Sequence, residues 1–140
     1  TIKNLYKKRD LLFSKEILPK FESLSFVKAV QTNAGEDVDS EFCSWFDALE
    51  YMKEEISKKD FDTALIGAGA YGIPLACHVK TMGKQAIHMA GSLQILFGIR
   101  GKRWDKFRQY VPYFNEYWVY PSEHETPKQK STVEGGSYWK

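Results

Sequence analysis

Short apolar runs that alternate with amphipathic helical stretches, and a complete G-x-G-x-x-G at one strand-to-helix junction, predict an α/β fold. The expected architecture has three layers: a mostly parallel sheet of about four strands flanked by helices, with right-handed crossovers between the strands. The 140 residues, 43% of them hydrophobic, suffice for one sizeable core and not for two independent ones. A single domain over residues 1–140 is expected, with a coil-rich tail at 121–140.

The elements follow from periodicity. Residues 1–13 have helical spacing through Ile2, Leu5, Tyr6, Leu12 and Phe13, starting abruptly and without an initiating Met. The expectation is a carboxy-terminal part of a longer protein, cut inside or just before a helix. Residues 17–22 read as an extended linker and 25–32 as a strand; the polar run 33–40 is a turn that caps the next helix, through Asp39 or Ser40. That helix places Phe42, Trp45, Phe46, Leu49, Met52 and Ile56 on one face and ends near Lys58 and Lys59, cations that suit the negative end of the dipole. A strand at 61–66, a helix to about Met82 and a strand at 85–90 come next. Residues 91–98 are apolar nearly all round and read as a short buried helix, followed by a helix at 103–112 and a last strand at 116–120.

The glycine turn is the strongest ligand signal. Gly67 permits the tight reversal, Gly69 leaves room for a ligand's oxygens near the backbone, and Gly72 lets helix and strand pack closely. Pro74 suits a first helical turn, where a missing N–H costs nothing. The helix then aims unpaired N–H groups and its positive dipole end at the loop, an arrangement that attracts phosphate. An NAD-type site carries an Asp or Glu roughly 20 residues on, which holds the ribose hydroxyls. No acidic residue lies between Asp62 and Asp105, so NAD is disfavoured.

A second turn, with Gly91, Ser92 and Gln94, follows the next strand and is expected to face the same crevice with free N–H groups of its own. Arg100, Lys102 and Arg103 lie on a glycine-flexed loop just after it and are expected to clamp a diphosphate. The aromatics from Trp104 to Tyr120 supply a candidate stacking platform or, as commonly, core and subunit contacts. Asp37 and Asp39 form a D-x-D that helix capping explains adequately, and His78, His88 and His124 show no metal-ligand spacing, so no metal site is assigned. His88, at the crevice end of its strand, is expected to be a buried, hydrogen-bonded histidine, with a ligand role in the crevice as the alternative. The tail carries Glu123 and Glu134 as acids able to fold over the crevice, and Tyr138 and Trp139 as anchors that pin its end.

A net charge of +2 with lysines alternating among acids gives no basic stripe for nucleic acid, and no apolar run reaches the length of a membrane span. Cys43 and Cys77 in apolar settings suit reduced core thiols, which points to the cytoplasm.

Five stretches taken together, Gly67-Ala-Gly-Ala-Tyr-Gly-Ile-Pro-Leu-Ala, Lys84-Gln-Ala-Ile-His, Gln94-Ile-Leu-Phe-Gly-Ile-Arg-Gly-Lys-Arg-Trp, Asn115-Glu-Tyr-Trp and Pro121-Ser-Glu, resemble a family of bacterial proteins. Many of its members are encoded with surface-polysaccharide biosynthesis functions. The resemblance covers most of the chain from Ser25 onward and implies that this is the carboxy-terminal half of such a protein. The layout is similar to the Rossmann-type fold of the GT-D class of glycosyltransferases, which use nucleotide sugars, a likeness at fold level only. It implies a binding region of Gly67, Gly69, Tyr71 and Gly72 with Arg100, Lys102 and Arg103, and it assigns no catalytic residue. The expected function is a nucleotide-sugar-binding, glycosyltransferase-like domain whose ligand is a nucleotide diphosphate sugar, with a homodimer through the aromatic-rich carboxy-terminal region. The alternatives are a non-catalytic structural or oligomerisation domain and a nicotinamide-dependent oxidoreductase.

Overall fold

A computed structural model describes residues 1–31, 41–127, 130–132 and 134–140. They form two compact units: a central one, Phe21–Leu93, and a terminal one that joins Thr1–Lys20 to Gln94–Lys140.

The central unit is built on a β-α-β crossover. Strand β1 (Thr63–Ile66) pairs in parallel with β2 (Gln85–His88), in a register that sets Thr63 against Gln85 and Ile66 against His88. Helix α4 (Gly72–Thr81) connects them, and α3 (Trp45–Ser57) precedes β1. Residues Ala48, Leu49 and Met52 of α3, Leu75 and Val79 of α4, and Ile66 and Tyr71 form the buried core. Ala64 and Ala86, which alternate onto the same sheet face as Ile66, pack against it. The other face carries Leu65 and Ile87, and Ile87 is 51% exposed. Ser44 caps α3 by accepting the Asp47 N–H at 3.2 Å, and Lys58 closes its other end. The predicted capping turn, with Asp37, Asp39 and Ser40, lies outside the described residues.

The predicted three-layer sheet of about four strands is overturned: among the described residues there is one two-stranded sheet. Residues 25–31 join no ladder. The Val30 N–H is directed at the Met52 sulfur, 3.4 Å away, and Ala29 and Val30 pack on the core while Phe26 stays 43% exposed. An alternating pattern is satisfied by packing one edge of an extended segment on a helix, without a strand partner. The strand expected at 116–120 reduces to one parallel bridge, Ile99 with Val119. Asn115 starts a turn there by accepting the Tyr117 N–H at 3.0 Å, a side-chain competitor for the ladder.

In the terminal unit the helix predicted over 1–13 is broken into α1 (Ile2–Tyr6) and α2 (Arg9–Leu12), with Lys8 outside helical φ/ψ. Like charges at Lys3 and Lys7, four residues apart, disfavour a continuous helix. Helix α5 (Ser92–Leu96), through which the chain passes from one unit to the other, contains no buried residue, although Phe97 just after it is buried. Helix α6 stops at Lys102–Asp105 instead of running to residue 112. Pro112 lacks an N–H and its ring opposes a helical carbonyl four residues back, so only a 3-10 turn, Val111–Tyr113, forms around it. Leu5, Leu12, Leu18, Phe97, Ile99, Trp104, Trp118 and Trp139 are the buried hydrophobic residues of this unit among those described. The Trp118 indole N–H donates to the Leu12 carbonyl at 2.8 Å, and Phe13 meets the same indole edge-on at 5.3 Å. Gly98, at φ +74, lies where a Cβ would come within 2.7 Å of Leu12.

Both cysteines are exposed, contrary to the expectation of core thiols. On α4 the buried stripe is Gly72, Leu75 and Val79, and Cys77 lies off it. No helix among the described residues is long and apolar enough to cross a membrane.

Met52, 1% exposed, touches both the helical core and the extended segment. Met52→Ala is expected to lower unfolding stability by about 2–5 kcal/mol in urea titrations followed by circular dichroism. A second expectation concerns acid. Burial works to raise the Glu125 carboxyl, but hydrogen bonds from Thr1, the Ser122 N–H and the Ser122 hydroxyl outweigh it and hold the group at about 2, below its ordinary 4.5. Its folded pKa is depressed, so its contribution is present at neutral pH and is lost as pH falls from about 4.5 through about 2. Melting temperature should therefore drop over that window, and Glu125→Gln should flatten the drop.

Candidate functional site

The crossover brings the glycine turn to the carboxyl end of both parallel strands, the usual ligand position in such a unit. Its three glycines do different things. At Gly67 a Cβ would lie 2.8 Å from the Ala90 carbonyl oxygen and 2.9 Å from the Leu93 side chain, so the absence of a side chain lets the turn close on the segment after β2. At Gly72 a Cβ would lie 2.1 Å from His88 Nε2, so the imidazole occupies that space. Gly69 has φ +51 and nothing within 4 Å of a would-be Cβ, which makes it the open point of the turn.

Backbone donors follow the same division. A 3-10 turn, Gly69–Tyr71, runs straight into α4; the Tyr71 N–H donates to Ala68 O at 3.0 Å and the Gly72 N–H to Gly69 O. The N–H groups of Gly69 and Ala70, both exposed, make no hydrogen bond to another described residue. The free donors thus sit one turn ahead of the α-helix proper, at the residue whose surroundings are open.

Tyr71 is 4% exposed and its ring stacks on Trp45 with centroids 5.0 Å apart and planes 6° from parallel. The ring belongs to the core, so of the four residues in this group Tyr71 supplies packing. The sequence reading missed what this stack brings to the turn. Trp45 is 37% exposed and Phe46, edge-on to it at 5.2 Å, is 70% exposed. Helical periodicity had put both on the buried face of α3. They lie in its first turn, N-terminal to the stretch from Ala48 to Met52 that the sheet and α4 cover.

His88 is exposed, against the expectation of a buried, hydrogen-bonded histidine. After it, the second turn is open in part: the N–H groups of Ala90 and Gly91, like those of Gly69 and Ala70, make no hydrogen bond to another described residue, while those of Ser92 and Leu93 are taken. The Ser92 N–H donates to Met89 O at 3.0 Å and the Leu93 N–H to Ala90 O at 3.3 Å, with Ala90 itself at φ 48. His78 lies elsewhere in the unit, its Nε2 3.0 Å from the Ser57 hydroxyl, which donates to the Lys53 carbonyl and so serves the end of α3. Among the described residues no group of three or more His, Cys, Asp or Glu is placed to hold a metal ion.

Gln94, Arg100, Lys102 and Arg103 belong to the terminal unit, and the two arginines are already engaged there. Arg100 reaches Asp105 Oδ1 with Nε at 3.0 Å and Nη2 at 2.9 Å, and lies over the rings of Phe114 and Tyr120 at 4.7 and 5.0 Å. The Tyr120 hydroxyl donates to the other Asp105 oxygen at 2.5 Å. That hydrogen bond, with burial behind it, raises the phenol above its ordinary pKa. Arg103 donates to Glu134 at 2.7 Å and to the Tyr138 hydroxyl at 2.8 Å. The tail reaches the same loop through the backbone: the Lys102 N–H donates to Trp139 O at 3.1 Å and the Arg103 N–H to Ser137 O at 2.8 Å. Gln94 Nε2 donates to Tyr138 O at 3.1 Å, while Gln94 Oε1 and Trp104 Nε1 are buried with no partner among the described residues. Of the aromatics from Trp104 to Tyr120, Trp104 and Trp118 are buried, whereas Phe107 and Tyr113 are 40% and 49% exposed.

No protein-family model, curated protein or solved structure matches the chain.

The packing of His88 over Gly72 has a direct test. Gly72→Ala is expected to destabilise the protein by about 1–3 kcal/mol through overpacking, and His88→Ala in the same chain should recover most of that loss. Additive losses in a double-mutant cycle measured by urea unfolding would remove the contact.

Proposed function

We propose that the chain is a nucleotide-sugar-binding, glycosyltransferase-like protein whose glycine turn, Gly67–Gly72, receives the donor's diphosphate. The observation that carries this reading is Gly69: positive φ, open space around it, and two neighbouring N–H groups without an acceptor among the described residues. A diphosphate oxygen can approach such a backbone where any side chain would stand in the way. The exposed rings of Trp45 and Phe46, tied to the turn through Tyr71, provide apolar surface for the base or the sugar. Acid is missing after β2, so the ribose contact of a nicotinamide dinucleotide has no candidate. In a transfer reaction the leaving diphosphate gains charge as the glycosidic bond forms, and fixed backbone donors favour that state.

A purely architectural turn is the second reading, and a specific observation favours it. Gly67 and Gly72 are both explained by close packing, and Tyr71 by the core.

Gly69→Asn separates the two. Asn tolerates positive φ better than other residues with a side chain, so the fold is kept while the open point is filled. The proposed function predicts binding of one family of nucleotide sugars by the wild type, seen as a rise in melting temperature, and at least about tenfold weaker binding in Gly69→Asn. An architectural turn predicts no nucleotide-dependent shift in either protein.

A further inference from the structure

The terminal unit holds an open cleft of about 550 Å³ lined by Lys102, Arg103 and Lys106 and by Glu134, Gly135 and Ser137 of the tail. Phe107, 40% exposed, also lines it. Three cations therefore face a single carboxylate. Neither Lys102 nor Lys106 forms an ion pair among the described residues, and Arg103 pairs with Glu134 through side chains that remain 39% and 58% exposed. A solvated pair of this kind contributes little to stability, so another anion can readily take the place of its carboxylate. The backbone that carries the carboxylate is unusual. Glu134, Gly135 and Gly136 have φ of 47, 64 and 74°, so a non-glycine residue is held in the left-handed region with its side chain on Arg103.

We propose that this cleft binds the phosphate groups of a small phosphorylated molecule, with Glu134 standing in for the phosphate on Arg103 when no ligand is bound. Arg103 offers a planar fork suited to two phosphate oxygens, and Lys102 and Lys106 supply mobile point charges for the rest. All of these residues lie in the terminal unit, so the proposal does not rest on the glycine turn.

Isothermal titration of the whole chain at low salt with inorganic pyrophosphate, and separately with UDP, tests it. The expected result is saturable binding of pyrophosphate that Lys102→Gln and Lys106→Gln each weaken by about three- to tenfold, with melting temperatures unchanged. Glu134→Gln should tighten binding by a similar factor, because the competing charge is gone while the side chain keeps its shape. The weakening by Lys102→Gln and Lys106→Gln should persist in a Gly69→Asn background, which separates this site from the glycine turn. UDP binding more tightly than pyrophosphate, with the surplus lost in Phe107→Ala, would support a nucleotide ligand; equal affinity would support recognition of the diphosphate alone. No binding by the wild type and Glu134→Gln overturns the proposal, as does binding that Glu134→Gln weakens or that the lysine changes leave untouched.

Discussion

Parallel pairing of Thr63–Ile66 with Gln85–His88 is the constraint on which the central unit depends. Parallel strands cannot be joined by a hairpin, so the chain must leave the end of β1, cross the sheet and return to its start. The crossing helix has to lie against the strands, and that sets the glycines. Gly67 must admit the Ala90 carbonyl and Leu93, and Gly72 must admit the His88 ring, before α4 can bury Leu75 and Val79 on Ile66. The register then fixes what surrounds the turn: because Ile66 faces His88, the imidazole ends up at the start of α4. Only Gly69 is free of these demands, which is why the proposed function rests on its open surroundings and not on the other two glycines.

The part of the fold that was legible in the sequence is the part governed by local rules. The strand, glycine turn, helix and second strand between residues 63 and 88 stand where apolar runs and glycine spacing placed them, the first strand starting later and the helix and second strand ending earlier than expected. What the sequence could not reveal was the number of strand partners. Residues 25–31 and 116–120 have the composition of strands, yet a ladder requires a neighbour at hydrogen-bonding distance, and neither Val30 nor Tyr117 directs its N–H to one. Propensity reports that a segment suits an extended, half-buried surface. It does not report what lies beside it.

Side-chain roles were legible to a smaller degree, for a related reason. Periodicity assigns a whole face of α3 to the core, but burial also depends on how far the covering elements extend. They reach Ala48, Leu49 and Met52 and stop short of Phe46. Tyr71 shows the converse. Its place inside a ligand motif suggested a contact with ligand, while its ring is spent on Trp45, which passes the exposed aromatic surface to a residue 26 positions earlier in the chain.

In the terminal unit the cations after Gly98 sort by chemistry. Arginine's planar guanidinium can meet a carboxylate edge and an aromatic face at once, and both arginines do so: Arg100 with Asp105, Phe114 and Tyr120, Arg103 with Glu134, Trp104 and Tyr138. Each is thereby built into the scaffold that holds the loop or the tail. Lysine has no planar fork and is hydrated more strongly, so Lys102 and Lys106 gain little from such contacts and remain at the surface of the cleft. The two arginine environments differ in one respect that matters. Asp105 is shared with a Tyr120 hydroxyl and is 26% exposed, whereas Glu134 is 58% exposed and held on a left-handed backbone. Removing Asp105 from Arg100 would strand a phenol and a half-buried guanidinium together; removing Glu134 from Arg103 returns a carboxylate to water and leaves the guanidinium its Tyr138 contact. Of the two arginines, Arg103 is therefore the one whose carboxylate can be exchanged at little cost, as the proposed phosphate cleft requires, while Arg100 is held in place by its partners.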